Sequence, residues 1–359
     1  MAKIDTIDRN FQIKTNIDKA DVVYHSIATS PFSVHGVFYA DGKYRRLPEA
    51  VAKTVSPGVY GLHANTAGGR VRFRTNSPYV ALYAEMGGLG KMPHFTILGS
   101  CGFDMYAKVV ENDIPATPET YVKSFMPPFD LNQSYESVID FTTQATRDIT
   151  IHFPLYSEVK RVYIGLAEGA MLCEATPYAY ETPIVYYGSS ITQGGCASRP
   201  GNSYQSIISR TLDTDYINLG FSGNAKGETT IVNYIKGLAM SMFVCDYDYN
   251  APSPEHLLAT HEPLYHAVRE AHPAIPIIMM CRPYFMATED SLKRHEIIKR
   301  TYENAISQGD KNVYMISGRE LMQLAQNDGT VDGVHPTDLG FFSMAQALMP
   351  IIERILHKN

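Results

Sequence analysis

The feature that most constrains this chain is a change of period near residue 178. Beyond it, short apolar runs alternate with helical stretches to the end of the sequence. "PIVYYG" precedes "NSYQSIISRTL", "DYINLGFS" precedes "TTIVNYIKGL", and "MSMFVCDYD" precedes "PEHLLATHEPLYHAVREA". "IPIIMMC" then precedes "DSLKRHEIIKRTYENAIS", "NVYMIS" precedes "RELMQLA", and a last helix covers about 337–356. Apolar strands separated by helices build a parallel sheet covered on both faces. Residues 179–359 are therefore expected to form an α/β domain. Residues 1–178 lack long helical periods. They read as short strands with turns between them, such as Asp41-Gly42 and Asn76-Ser77-Pro78, which predicts an all-β sandwich or jelly roll. Pro177 and Pro183 in "EATPYAYETP" bracket an expected linker.

Composition narrows the function classes. Of 359 residues, 45% are hydrophobic and 19% charged, enough apolar material for two cores. The net charge of -6, without a long like-charged run, argues against a nucleic-acid partner. No apolar run is read as long enough to span a bilayer, so no membrane partner is expected. The five scattered cysteines contain no C-x-x-C, which speaks against a disulfide framework or zinc site. "MAKIDTIDRNFQIKTN" has no apolar h-region, so a cytoplasmic location is expected. Arg70, Arg72 and Arg74 share one face of a strand. That face reads as solvated or, alternatively, as a polar ligand surface.

In open α/β sheets, sites form beyond the carboxyl ends of the strands. The loops there are "GSSITQGG", "NLGFSGNAKG", "CDYDYNAPS" and "CRPYF", and "DGVHP" stands at the entry of the last helix. Together they hold what acyl transfer needs. A serine hydroxyl is a weak nucleophile and needs an adjacent base, here His335. Asp332, one turn away, is placed to hold the imidazole in one tautomer. The oxyanion needs preorganised donors: the Ser190 N–H, the N–H of Gly223, which has no Cβ to obstruct it, and the Asn250 amide. The alternate acids of "DYDYN" miss the glycine and glutamate of a calcium loop, having Ala251 and Leu257 in those places. A G-x-S-x-G elbow is absent as well.

This order, Ser, Gly, Asn and Asp-x-x-His, resembles the SGNH (GDSL-type) hydrolase family over about residues 183–357. Gly188-Ser189-Ser190-Ile191-Thr192 stands where the family has G-D-S-x-x, with Ser189 in place of the Asp. "YDYNAP" stands for the usual Gly-x-Asn-Asp. The amino-terminal half is similar to the β-sandwich of one branch of that family, its "GFDMY" (102–106) resembling a Gly-x-Asp-Leu-Tyr signature. The resemblance implies a flavodoxin-like α/β/α sandwich and ester hydrolysis with no metal or organic cofactor. It implies a nucleophile at Ser190, oxyanion donors at Ser190, Gly223 and Asn250, and the acid/base pair Asp332 and His335.

Arg199, just past the nucleophile turn, and Tyr284, on the fourth loop, are candidate substrate-binding residues; Cys196 is assigned no role. The expected activity is a serine esterase acting on short acyl esters, above all acetyl groups on carbohydrate. Alternatives are an acyltransferase using the same site, or a silent carbohydrate-binding protein. The expected partner is a small-molecule or oligosaccharide ester, homo-oligomerisation is left open, and the sandwich is expected to supply one wall of the cleft.

Overall fold

In the computed structural model, the parallel sheet after residue 179 consists of β1 (Tyr180–Gly188), β2 (Thr214–Gly220), β3 (Met242–Asp246), β4 (Ile277–Met280) and β5 (Val313–Ile316). Residues 17–357 are described; the leader reading above falls outside the described residues. The strand order is β2-β1-β3-β4-β5 with parallel neighbours, the flavodoxin-like arrangement. The returning helices are α1 (Ser190–Gln193), α2 (Tyr204–Leu212), α3 (Thr229–Ile235), α4 (Pro254–Ala271), α5 (Glu289–Ser307), α6 (Gly318–Leu321) and α7 (Asp338–Leu356).

Side chains alternate across a strand, so β1 serves both faces. Ile184 and Tyr186 join Ile208 of α2 and Phe341, Leu348 and Ile352 of α7. Val185 and Tyr187 join Ile235 of α3, Leu257 and Leu264 of α4 and Ile298 of α5. Three layers follow from that alternation. Contrary to the sequence expectation, α7 is long and apolar enough by length and composition to cross a bilayer. Here Phe341, Met344, Leu348 and Ile352 are core, buried against the sheet, while Leu339 and Phe342 are exposed.

The preceding residues form two packed antiparallel sheets. One joins Val22–Ser26, Val159–Ala167, Tyr79–Met86 and Ser134–Asp140. The other is built around Arg70–Thr75, Arg147–His152 and Phe103–Glu111. Phe73, Leu82, Phe103, Ile149 and Ile164 fill the space between them. Asp41 and Gly42, at φ 48° and 80°, close the hairpin of Phe38–Ala40 and Lys43–Arg45, as a two-residue primed turn requires.

The structure corrects three readings. Besides Ile97–Cys101, two short helices, Glu49–Val55 and Pro57–Leu62, lie in the amino-terminal half. They belong to the α/β core, where Ala52 and Val59 pack with Tyr187 and Leu219; helices this short carry too few turns for a readable period. The expected linker is shorter than read: residues 174–179 lie outside helix and strand, but Tyr178 is buried and β1 begins at Tyr180. The arginine face is neither solvated nor open to ligand, since Arg70, Arg72 and Arg74 are all buried. Arg70 pairs with Asp215 and donates to the Tyr216 carbonyl at 3.2 Å. Arg72 lies 3.8 Å from the Tyr178 ring centre, and Arg74 is 2.7 Å from Asp148. The α/β unit and the segment leading into it cover this face, and each guanidinium keeps an acidic or aromatic partner to offset its burial.

Candidate active site

At the end of β1 the chain must turn within one residue. A Cβ on Gly188 would sit 2.1 Å from Thr192 Oγ1 and 2.2 Å from the Asp246 carbonyl, so only glycine fits. Ser189 then caps α1, its Oγ accepting from the Ile191 N–H at 3.2 Å. This is the work a carboxylate at that position would do. Ser190 is the first helical residue, so its N–H has no intrahelical acceptor. Its carbonyl is held by the N–H groups of Gly194 (3.1 Å) and Gly195 (3.0 Å) and by the Tyr156 hydroxyl (3.2 Å). Tyr156 comes from the sandwich, as does Leu155, whose carbonyl accepts from Gln193 Nε2 at 3.2 Å.

Ser190 Oγ lies 2.9 Å from His335 Nε2, and His335 Nδ1 lies 2.7 Å from Asp332 Oδ2. The other carboxylate oxygen accepts the N–H groups of Val334 (2.9 Å) and His335 (2.8 Å). Burial pushes the Asp332 carboxyl up, but these backbone bonds and the imidazole overcome it and hold it at about 2. An ionised carboxylate only accepts, so Nδ1 carries the proton and the Nε2 lone pair faces the serine hydroxyl. The loop is locked to the nucleophile turn, because the Cys196 N–H donates to the Pro336 carbonyl at 3.2 Å. Burial, followed by the charge of Asp332, pushes the Cys196 thiol up to about 11, so it stays protonated and unreactive.

The two further donors sit on neighbouring loops. Gly223 has φ 69°, a left-handed conformation suited to glycine, and a Cβ there would meet nothing within 4 Å. No acceptor among the described residues takes its N–H. Arg46, from the amino-terminal half, anchors the start of this loop through the carbonyls of Asn218 (3.2 Å) and Gly220 (2.6 Å). Asn250 Oδ1 accepts from the Ala225 N–H at 3.2 Å, which ties the two loops and leaves Nδ2 as a donor. Buried Arg294 clamps the Asn250 loop through the carbonyls of Asp248 (2.7 Å) and Ala251 (3.0 Å).

The two candidate substrate binders have other partners. Arg199 donates to Asp104 Oδ2 at 2.8 Å and to the Tyr106 hydroxyl, and it stacks on Tyr121 at 3.9 Å. Asp104 and Tyr106 belong to "GFDMY", so this motif is a clamp between the sandwich and the loop after the nucleophile. Tyr284 packs against the start of α6, its N–H donating to the Gly318 carbonyl at 3.1 Å. Neither has a hydrogen bond, ion pair or ring contact with Ser190 or His335 among the described residues.

Sequence reasoning missed Tyr156, Gln193 and His94. His94, on a sandwich loop, lies with its ring centre 6.0 Å from that of His335. No periodicity links it to a loop 241 positions later, so only the packing of the two units finds it.

A flavodoxin-like sheet with a serine, an imidazole and a carboxylate in hydrogen-bonded series at its carboxyl edge has the architecture of an SGNH-type esterase. The chain belongs to the GDSL-like lipase/acylhydrolase family, which residues 181–353 match, while residues 22–172 match the GxDLY domain found at the N-terminus of SGNH-hydrolase-type esterases. Among solved structures, a GDSL-like lipase from Bacteroides ovatus ATCC 8483 is 30% identical, with a TM-score of 0.81 over 94% of this chain and 98% of that one. The salicylyl-acyltransferase SsfX3 from a tetracycline biosynthetic pathway is 20% identical, with a TM-score of 0.70 and coverage of 94% and 98%. A family two carbohydrate esterase from Cellvibrio japonicus is 14% identical, with a TM-score of 0.59 and the same coverage, 94% and 98%. No curated protein matches the chain.

Proposed function

We propose that this protein is a serine esterase that removes short acyl groups, above all acetyl, from carbohydrate through an acyl-enzyme on Ser190. The observation that carries the reading is the series Ser190 Oγ, His335, Asp332, with separations of 2.9 Å and 2.7 Å. Ser190 Oγ attacks the ester carbonyl carbon as its proton passes to His335 Nε2. The Ser190 and Gly223 N–H groups and Asn250 Nδ2 receive the oxyanion. When the tetrahedral intermediate collapses, the C–O bond to the alcohol breaks and His335 returns its proton to the departing oxygen. Water, deprotonated by the same imidazole, then attacks the acyl carbon and releases the carboxylic acid and free Ser190. The carbohydrate part of the reading is the activity named for the Cellvibrio japonicus esterase, and acyl transfer that named for SsfX3, two proteins that share this fold.

The test is acetate release from acetylated mono- and oligosaccharides, beside p-nitrophenyl acetate and butyrate, by wild type and Ser190→Ala. Turnover of acetylated sugar that disappears in Ser190→Ala is the expected result. Turnover of the aryl ester alone would remove the carbohydrate assignment. Acyl product appearing on an added alcohol instead of as free acid would favour the acyltransferase. No turnover by wild type would sink the esterase reading.

A further inference from the structure

We propose that His94, Asp332 and His335 form a binding site for a divalent transition-metal ion of the zinc type, and that filling this site switches the esterase off. One donor atom from each residue, two imidazole nitrogens and a carboxylate oxygen, lies within 4.8 Å of the other two. Two imidazoles and a carboxylate are a donor set that zinc, copper and nickel favour over magnesium or calcium. Zinc bonds of about 2.0–2.2 Å in tetrahedral geometry put donor atoms roughly 3.4 Å apart. Side-chain rotation of about an ångström closes the difference.

His94 is held in place for this. The next residue, Phe95, is buried and packs edge-on against Tyr156 at 5.2 Å. The Thr96 hydroxyl donates to the Ser198 carbonyl at 2.7 Å, on the loop that follows the nucleophile. Earlier in the same loop, Lys91 Nζ donates to the Leu131 carbonyl at 2.6 Å. The His94 ring itself takes no hydrogen bond among the described residues and is exposed, as is Asp332. An ion can therefore enter from solvent and keep a water as its fourth ligand.

Occupation removes the base. An imidazole lone pair of His335 given to the metal no longer accepts the Ser190 proton, and a carboxylate oxygen given to the metal no longer orients the ring. The ion is thus an inhibitor and not a cofactor, and it couples the sandwich to the chemistry because one ligand, His94, comes from the sandwich and two, Asp332 and His335, from the α/β unit. The switch rests on the esterase reading; the binding does not.

The experiment uses the full chain, freed of metal by a chelator. Zinc binding is read by calorimetry, cobalt binding by visible absorption, and p-nitrophenyl acetate hydrolysis at each zinc concentration. Wild type and Ser190→Ala should each bind one ion, with the cobalt spectrum of a four-coordinate site. His94→Ala and His94→Gln should bind at least tenfold more weakly and need at least tenfold more zinc to halve their own metal-free rates. Equal zinc affinity in both His94 variants, or no saturable binding by wild type, would overturn the site. Binding that depends on His94 in a protein with no metal-free turnover would support the site, overturn the switch and count against the esterase reading separately.

Discussion

Two aspartate–histidine pairs flank the nucleophile loop and do different work. Asp332 and His335 share one loop, 2.7 Å apart, with the second imidazole nitrogen 2.9 Å from Ser190 Oγ. Asp104 and His152 lie on neighbouring sandwich strands, 3.3 Å apart and buried. Asp104 also receives Arg199 at 2.8 Å and the Gly201 N–H at 3.0 Å. Burial pushes the Asp104 carboxyl up, yet His152 and Arg199 hold it below its ordinary value, while burial pushes His152 down. The comparison teaches that an Asp–His pair can serve proton transfer only where a hydroxyl stands at the free nitrogen and solvent can reach it. Enclosed and joined to an arginine, the same pair is a rivet between two units.

The comparison breaks most sharply with Asp332→Asn and His335→Ala. Each should lower kcat by roughly 10,000-fold or more, with a smaller loss of stability than Asp104→Ala. A loss below about tenfold would end the relay reading. Asp104→Ala should do the reverse: removing one partner of a buried charged network costs about 3–5 kcal/mol, read by urea unfolding. If its unfolding midpoint matched that of Asp332→Asn, the two pairs would not differ as argued. Asn250→Ala should cost about 100- to 1,000-fold in kcat with little change in KM. The smallest effect is expected from Ser189→Ala, about 1 kcal/mol for a lost helix cap, measured by the same unfolding curve.

Acid sharpens the contrast. The folded value of Asp332, about 2, lies below the unfolded carboxylate value of about 3.9. Its contribution to stability is therefore full above about pH 4 and lost as pH falls toward 2. Carbon NMR of the Asp332 carboxyl should show no titration above pH 4; a midpoint near 4 would mean that the backbone bonds do not hold it.

Much of the α/β half was legible because its signals are local. Apolar runs alternating with helical stretches marked the five parallel strands, and strand ends marked the loops carrying Ser190, Gly223 and Asn250. Asp332 and His335 are three residues apart, so one turn of backbone brings them together. The sandwich half was legible as a class and not in its contacts. Alternation placed Arg70, Arg72 and Arg74 on one face without saying what covers it. Arg199 sits beside the nucleophile in sequence, yet its partners, Asp104 and Tyr106, lie more than ninety positions earlier.

The sequence by itself determined the chemistry available, a serine, an imidazole and a carboxylate at loop positions set by a parallel sheet, because strand period and turn residues act over a few neighbours. Only the tertiary structure decided which Asp–His pair faces a hydroxyl, that "GFDMY" is a clamp, and that His94 stands beside His335. Those facts depend on how two separately patterned units pack, and the buried surface between them leaves no period in either.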